Sequence, residues 1–142
     1  MKRILVAVDG SPRAPGVLAA AAQLAQLAGA KLVLFRAINV PPDLPLDMLT
    51  MAPADLEGAL RGGAREALDR FAATLPPAVL ESIEIEVGIA WDAIVRASRK
   101  LDADLIVIGS HGYGGLDRLL GTTAAKVVNH ADRNVLIIRN AL

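Results

Sequence analysis

Two short apolar runs, residues 4–8 (ILVAV) and 105–108 (LIVI), each give way directly to turn-forming residues, Asp9-Gly10-Ser11-Pro12 and Gly109-Ser110. Neither run alternates with polar residues, so neither suits a sheet with one wet face. Such runs belong to strands buried on both faces, which in practice means a parallel sheet covered by helices. The segments between and beyond them carry the matching helical periods. Val17, Leu18, Ala21, Leu24, Ala25 and Ala28 fall on one helical face, and Gly29 is placed to stop that helix in the left-handed conformation. Its start stays open: Pro12 suits a first turn begun by Ser11, but Pro15 would then lack the first intrahelical donor.

A second strand follows at residues 31–38. Residues 39–53 hold four prolines with Met48 and Met51, and read as a long loop of the kind that forms lids. The two methionines are expected to serve loop packing. A helix over about 54–75 sets Leu56, Leu60, Ala64, Leu68, Phe71 and Leu75 along one face. Gly62-Gly63 lies inside it at a cost of about 1 kcal/mol per residue relative to alanine, so a kink or frayed turn is expected there. Residues 82–89 alternate Ile83, Ile85 and Val87 with Glu84 and Glu86, the mark of a half-exposed edge strand. A short helix at 91–101, opened by a packed Trp91, leads to the buried strand at 105–108. A glycine-rich segment at 109–115, a helix at about 122–130 and a strand at 134–139 complete the chain.

Strict β-α alternation with right-handed crossovers predicts one α/β domain over residues 1–142. Its core is a doubly wound, Rossmann-like, five-stranded parallel sheet with strand order 3-2-1-4-5 and helices on both faces. In such sheets ligands bind beyond the carboxyl ends of the strands where the winding reverses. With strands 1 and 4 adjacent, that crevice is lined by Asp9 on one side and Gly109 onward on the other.

Composition narrows the ligand. Fifteen basic residues balance fifteen acidic ones, which argues against a nucleic-acid surface. A small anion remains compatible, because a few backbone N–H groups hold a phosphate without net positive charge. The absence of cysteine excludes disulfides, thiolate metal sites and cysteine catalysis. The apolar start is too short for a signal peptide, and no later run approaches a membrane span. A soluble, cytoplasmic chain is expected.

The chemistry is concentrated in Gly109-Ser110-His111-Gly112-Tyr113-Gly114-Gly115 and in Gly121-Thr122-Thr123-Ala124. Glycines beyond a central strand let backbone N–H groups approach an anion closely. Gly121-Thr122-Thr123 then opens a helix whose free N–H groups and dipole favour negative charge, and the two hydroxyls can donate to phosphate oxygens. The plainer readings are that the glycines only form a turn and that Thr122 or Thr123 caps a helix.

These segments resemble the universal stress proteins. Ile4-Leu5-Val6-Ala7-Val8-Asp9-Gly10-Ser11 is similar to that family's first strand and loop, and residues 103–112 to its fourth strand and glycine motif. Residues 121–128 and Val135-Leu136-Ile137-Ile138 are similar to its last helix and strand. ATP-binding members carry Gly-x2-Gly-x9-Gly followed by Ser or Thr. Gly109, Gly112, Gly121 and Thr122 match it, but only eight residues separate Gly112 from Gly121, one fewer than the pattern has. The resemblance implies an adenine nucleotide, ATP or AMP/ADP. Ala7, Val8 and Ala37 would line the base, Ile108 and Gly109 the ribose side, and Gly112, Gly121, Thr122 and Thr123 the phosphates. It implies that Asp9 lies near the ribose and a Mg or Mn ion; the alternative for Asp9 is a turn carboxylate capping the next helix. His111 is a candidate phosphate contact set against a solvent-facing role. The family also implies a homodimer through the last strand, an expected edge that the few residues after Ile138 would leave uncovered.

Other charged residues read more plainly. Arg13, Arg118 and Lys126 are expected at the surface, with Arg118 the best outside candidate for phosphate, and His130 complements a helix dipole. A phosphoryl-accepting receiver domain would need an aspartate after strand 3 and a lysine after strand 5, where this chain has Gly88-Ile89-Ala90 and Arg139. A flavodoxin-like carrier would place its phosphate loop after strand 1, where Pro12 and Pro15 stand. No P-loop or water-activating carboxylate pair argues for an evolved hydrolase. The expected function is a nucleotide-occupied switch or sensor in a stress response; the alternative is a nucleotide-free dimeric scaffold.

Overall fold

A computed structural model of the chain describes residues 1–39, 46, 50–110 and 120–139. The elements run β1 (Arg3–Ala7), α1 (Ala14–Ala28), β2 (Lys31–Ile38), α2 (Pro53–Ala72), β3 (Leu80–Val87), α3 (Ala90–Lys100), β4 (Leu105–Gly109), α4 (Thr122–His130) and β5 (Asn134–Ile138). They build one sheet in the order β3-β2-β1-β4-β5, every neighbouring pair parallel, as the alternation predicted.

The two apolar runs take the centre of the sheet, with Ala7 in register with Phe35 of β2 on one side and Ile108 of β4 on the other. The period-2 pleat divides their side chains between two cores. Ile4, Val6 and Val8 pack with Val17, Leu18, Ala21 and Leu68, under α1 and α2. Leu5, Ala7 and Phe35 pack with Ala93, Ile94, Ala97 and Val127, under α3 and α4. The winding therefore reverses between β1 and β4, one helix pair covering each face.

Several boundaries differ from the sequence reading for identifiable reasons. Helix α1 starts at Ala14, whose N–H reaches Ser11 O at 3.2 Å, and this keeps Pro15 in the first turn where no donor is required. It ends at Gly29 with φ 66°, as expected. Helix α2 is continuous through Gly62-Gly63, so the expected kink is absent. Downstream, Ala64 and Leu68 are buried, and just upstream Arg61 bonds Glu57 at 3.0 Å and Ile85 O at 2.7 Å, so the helix is anchored on both sides of the glycines. Tertiary anchoring thus overrides the local propensity.

The same helix stops at Ala72, short of the expected 75. Thr74 and Leu75 continue as tight turns, their N–H groups bonding Phe71 O and Ala72 O at 3.0 and 3.1 Å, which carries Leu75 into the core. Strand β3 ends at Val87 rather than 89, because Gly88 adopts φ 155°, a conformation that favours glycine. Its pairing with β2 passes from Leu32↔Leu80 to Val33↔Ser82, so Glu81 is an extra residue in the ladder. No helix among the described residues is long and apolar enough to cross a membrane.

Candidate functional site

Helices α1 and α4, which follow β1 and β4 in sequence, cover opposite faces of the sheet and leave a gap at the carboxyl ends of those strands. The gap is a cavity of about 190 Å³. One wall is apolar: Ala7, Ala37, Ile94 and Ile108 line it, together with Ala90, the first residue of α3. The alanines at the ends of β1 and β2 leave a slot where larger side chains would fill the space. The opposite wall is the start of α1, with Ser11, Arg13, Ala14 and Val17. The third is the start of α4, with Gly121, Thr122, Thr123 and Ala124; Val8, Asp9, Gly109 and Ser110 lie between.

The loop after β1 is set by a hydrogen-bond relay. Asp9 Oδ1 accepts the Ser11 N–H at 2.9 Å, and Ser11 Oγ accepts the Arg13 N–H at 3.3 Å. Asp9 is thus a turn carboxylate, as one sequence reading had it, but it does not cap α1, whose N-cap is Arg13. A carboxylate has about four acceptor positions, so this bond does not exhaust an Asp9 that also lines the cavity.

On the other side, Ser110 and Gly121 are locked together. The Gly121 N–H donates to Ser110 O at 2.7 Å, and the Ser110 N–H donates to Ile138 O at 2.9 Å. The start of α4 is therefore held beside the end of β4. The N-cap of α4 is Gly121, extended at φ −61°, ψ 161°, with no side-chain cap. Neither Thr122 nor Thr123 is the cap, which removes the plainer reading of those hydroxyls. The first intrahelical bond is made by Ala125 to Gly121 O at 3.0 Å, so the N–H groups of Thr122, Thr123 and Ala124 precede it.

Helices α1, α3 and α4 all begin at this cavity, and none has a side-chain cap. Helices α1 and α4 also lack an acidic residue in the first turn, while Asp92 of α3 is paired with Arg96 at 2.9 Å. Helix N-termini carry partial positive charge, and at α1 and α4 no first-turn acidic side chain offsets it. The chemistry on offer is an apolar slot beside an anion-favouring rim.

Nine of the predicted site residues come together here: Ala7, Val8, Asp9, Ala37, Ile108, Gly109, Gly121, Thr122 and Thr123. His111, Gly112, Arg118 and Met48 lie outside the described residues. Arg13 is a correction: expected as a surface charge, it is half-buried and lines the cavity. Sequence reasoning placed Ser110 and Ala124 in the segments that carry the chemistry without giving them a role, and it missed Ser11, Ala14, Val17, Ala90 and Ile94 as site residues. Ala14 with Val17, and Ala90 with Ile94, have helical spacing, so knowing which helices start at the crevice would have found them. Arg13 carried no such signal.

Outside the cavity lining, Trp91 packs against His130 with ring centroids 4.5 Å apart, and Lys126 Nζ stands 5.7 Å from the Trp91 ring. This cluster ties α3 to α4. No group of three or more potential His, Cys, Asp or Glu metal ligands occurs among the described residues. A second depression of about 400 Å³ beside α2 and β3 is larger but open, and Arg61 on its wall is already bonded to Glu57 and Ile85. The smaller crevice is the better site, because only there do helix starts converge.

Comparison with known proteins agrees with this geometry. Residues 1–139 match the model of the universal stress protein family. The universal stress protein A homolog 1 of Coxiella burnetii is 31% identical over 144 residues, covering 96% of this chain and 95% of that protein. A universal stress protein solved in complex with cAMP is 29% identical, with TM-score 0.65 and coverage of 97% and 96% of the two chains. The Archaeoglobus fulgidus universal stress protein in complex with dAMP is 26% identical, with TM-score 0.66 and coverage of 98% of each chain. Strand order, switch-point crevice and whole-length sequence match all point one way, and the chain belongs to the universal stress protein family.

Proposed function

We propose that this chain is a single cytoplasmic domain that binds an adenine nucleotide, ATP foremost, and acts in a stress response as a switch read by its occupancy. The observation that carries the reading is the joining of an apolar slot to uncapped helix starts in one crevice. The base enters the slot formed by Ala7, Ala37, Ile94 and Ile108, and the phosphates meet the backbone of Gly121–Thr123 and both threonine hydroxyls. Universal stress proteins of similar fold have been solved with cAMP and dAMP, which supports the choice of adenine. The Ser110–Gly121 hydrogen bond supports it despite the shortened glycine motif, since it fixes the start of α4 beside β4 whatever the spacing.

Magnesium usually takes one or two protein carboxylates plus substrate phosphates. Asp9 alone fits that requirement and would hold Mg or Mn against the phosphates. The chain pairs as a homodimer through β5, which lies at the sheet edge with Leu136 exposed. Light scattering at micromolar concentration reads a dimer if this holds, and a monomer if it does not.

Nucleotide released from the purified protein is identified by mass spectrometry, alongside calorimetric titration with ATP and magnesium. The expected result is affinity at millimolar or tighter that disappears in Gly121→Val while the circular dichroism spectrum is kept. No released nucleotide and no heat of binding would leave the nucleotide-free dimeric scaffold as the better account.

A further inference from the structure

Arginine is a poor choice for the position that Arg13 occupies. It is the N-cap of α1, where Ser, Thr, Asp or Asn would satisfy an orphan N–H and where a positive charge opposes the helix dipole. The helix offers no first-turn acid in compensation. A residue that breaks a local rule at the rim of a cavity is where functional demand is expected to have overridden stability.

The base of the side chain is fixed. The Arg13 N–H is held by Ser11 Oγ at 3.3 Å, and its carbonyl accepts the Val17 N–H at 3.2 Å. Among the described residues lining the cavity, Arg13 carries the only basic side chain and Asp9 the only acidic one. Helix α1 covers the face of the sheet opposite to α4, so Arg13 and the Gly121–Thr123 segment stand on different walls of the same crevice. A ligand phosphate in that crevice would have the start of α4 on one side and Arg13 on the other.

We propose that Arg13 is a ligand-contacting residue that reads phosphate charge from the α1 wall, so that the site discriminates a nucleotide from the corresponding nucleoside. The inference depends on the nucleotide reading above and deepens it. The apolar slot treats adenosine and ATP alike; the α1 wall adds attraction only when phosphate is present. A guanidinium suits this task because it donates to phosphate oxygens in a planar, bidentate fashion.

The test is calorimetric titration of the wild-type chain and of Arg13→Gln with adenosine and with ATP, with thermal unfolding of both proteins. The expected result is that the ratio of ATP to adenosine affinity falls about tenfold in Arg13→Gln, the scale of a lost charge-assisted contact. Thermal unfolding of both proteins shows that the variant keeps its fold, so that the affinity ratio is read on folded protein. Wild-type binding of ATP with an unchanged affinity ratio in Arg13→Gln overturns the role of Arg13 and leaves the nucleotide reading standing. Equal weakening for both ligands overturns it too, by marking Arg13 as structural. Failure of the wild-type chain to bind either ligand overturns the nucleotide reading and this inference together.

Discussion

At the amino ends of the strands the polar groups are tied to one another. The Asp104 carboxylate accepts the N–H groups of Lys2 at 2.7 Å and Arg3 at 2.9 Å, and the Arg3 guanidinium pairs with Glu81 at 2.5 and 2.8 Å while donating to Leu101 O. Lys31 adds a bond to Ala78 O. At the carboxyl ends of the same strands the arrangement is the reverse. Three helices start there without side-chain caps, around a cavity. One end of the sheet is tied together and contributes stability; at the other, the helix starts go without side-chain caps, at a cost in stability that a ligand can offset. Even the extra residue in β3 serves the closed end, since it is Glu81.

The comparison can be broken or sharpened by experiment. The largest effect belongs to the open end. ATP at a hundredfold over its dissociation constant adds about 2.7 kcal/mol, which raises the thermal midpoint by roughly 10 °C in a domain of this size. A thermal scan with and without nucleotide checks this. Next, Thr123→Val removes one hydroxyl from the rim and weakens ATP about tenfold by titration, with little change in the midpoint without ligand. Gly63→Ala, on α2 away from both ends, meets no heavy atom within 4 Å and adds helix propensity. It should raise denaturant stability by about 1 kcal/mol without altering ATP affinity.

The smallest effect belongs to the closed end. The N–H groups of Arg3 and Lys2 hold the Asp104 carboxyl below the usual carboxylate range, and the hydrogen bond from Arg3 does the same for Glu81. Folded values below the unfolded ones mean that this stability is present at neutral pH and lost as pH falls through the folded values. The wild-type midpoint should therefore decline below about pH 5. Asp104→Asn should lower the midpoint modestly at neutral pH and flatten that acid slope, leaving ATP affinity as it was.

The sequence made the fold legible because its strongest signals, residues 4–8 and 105–108, belong to the strands that organise everything else. Strand order followed from them and from the alternation. Element ends were less legible where tertiary contacts decide: α2 runs through Gly62-Gly63 because Arg61, Ala64 and Leu68 anchor it, and β3 ends at Gly88 because of that residue's backbone angle. At the candidate site, Asp9, Gly121, Thr122 and Thr123 were visible as turn and helix-start chemistry. Arg13 was not, since whether a long charged side chain faces solvent or a cavity depends on where the helix begins, and the prolines left that open. Ala90 and Ile94 were hidden for a related reason: an alanine and an isoleucine on an amphipathic helix look like core residues wherever the helix lies.

The central claim is that the open end is a nucleotide site and the closed end is not. The most direct test follows the backbone amide resonances of the isotope-labelled chain during titration with ATP and magnesium. Saturable shifts at Asp9, Ser11, Gly109 and Gly121–Ala124, with Lys2, Arg3 and Asp104 unmoved, are the predicted result. Shifts confined to the Asp104 end, or none anywhere up to several millimolar ATP, would contradict the account.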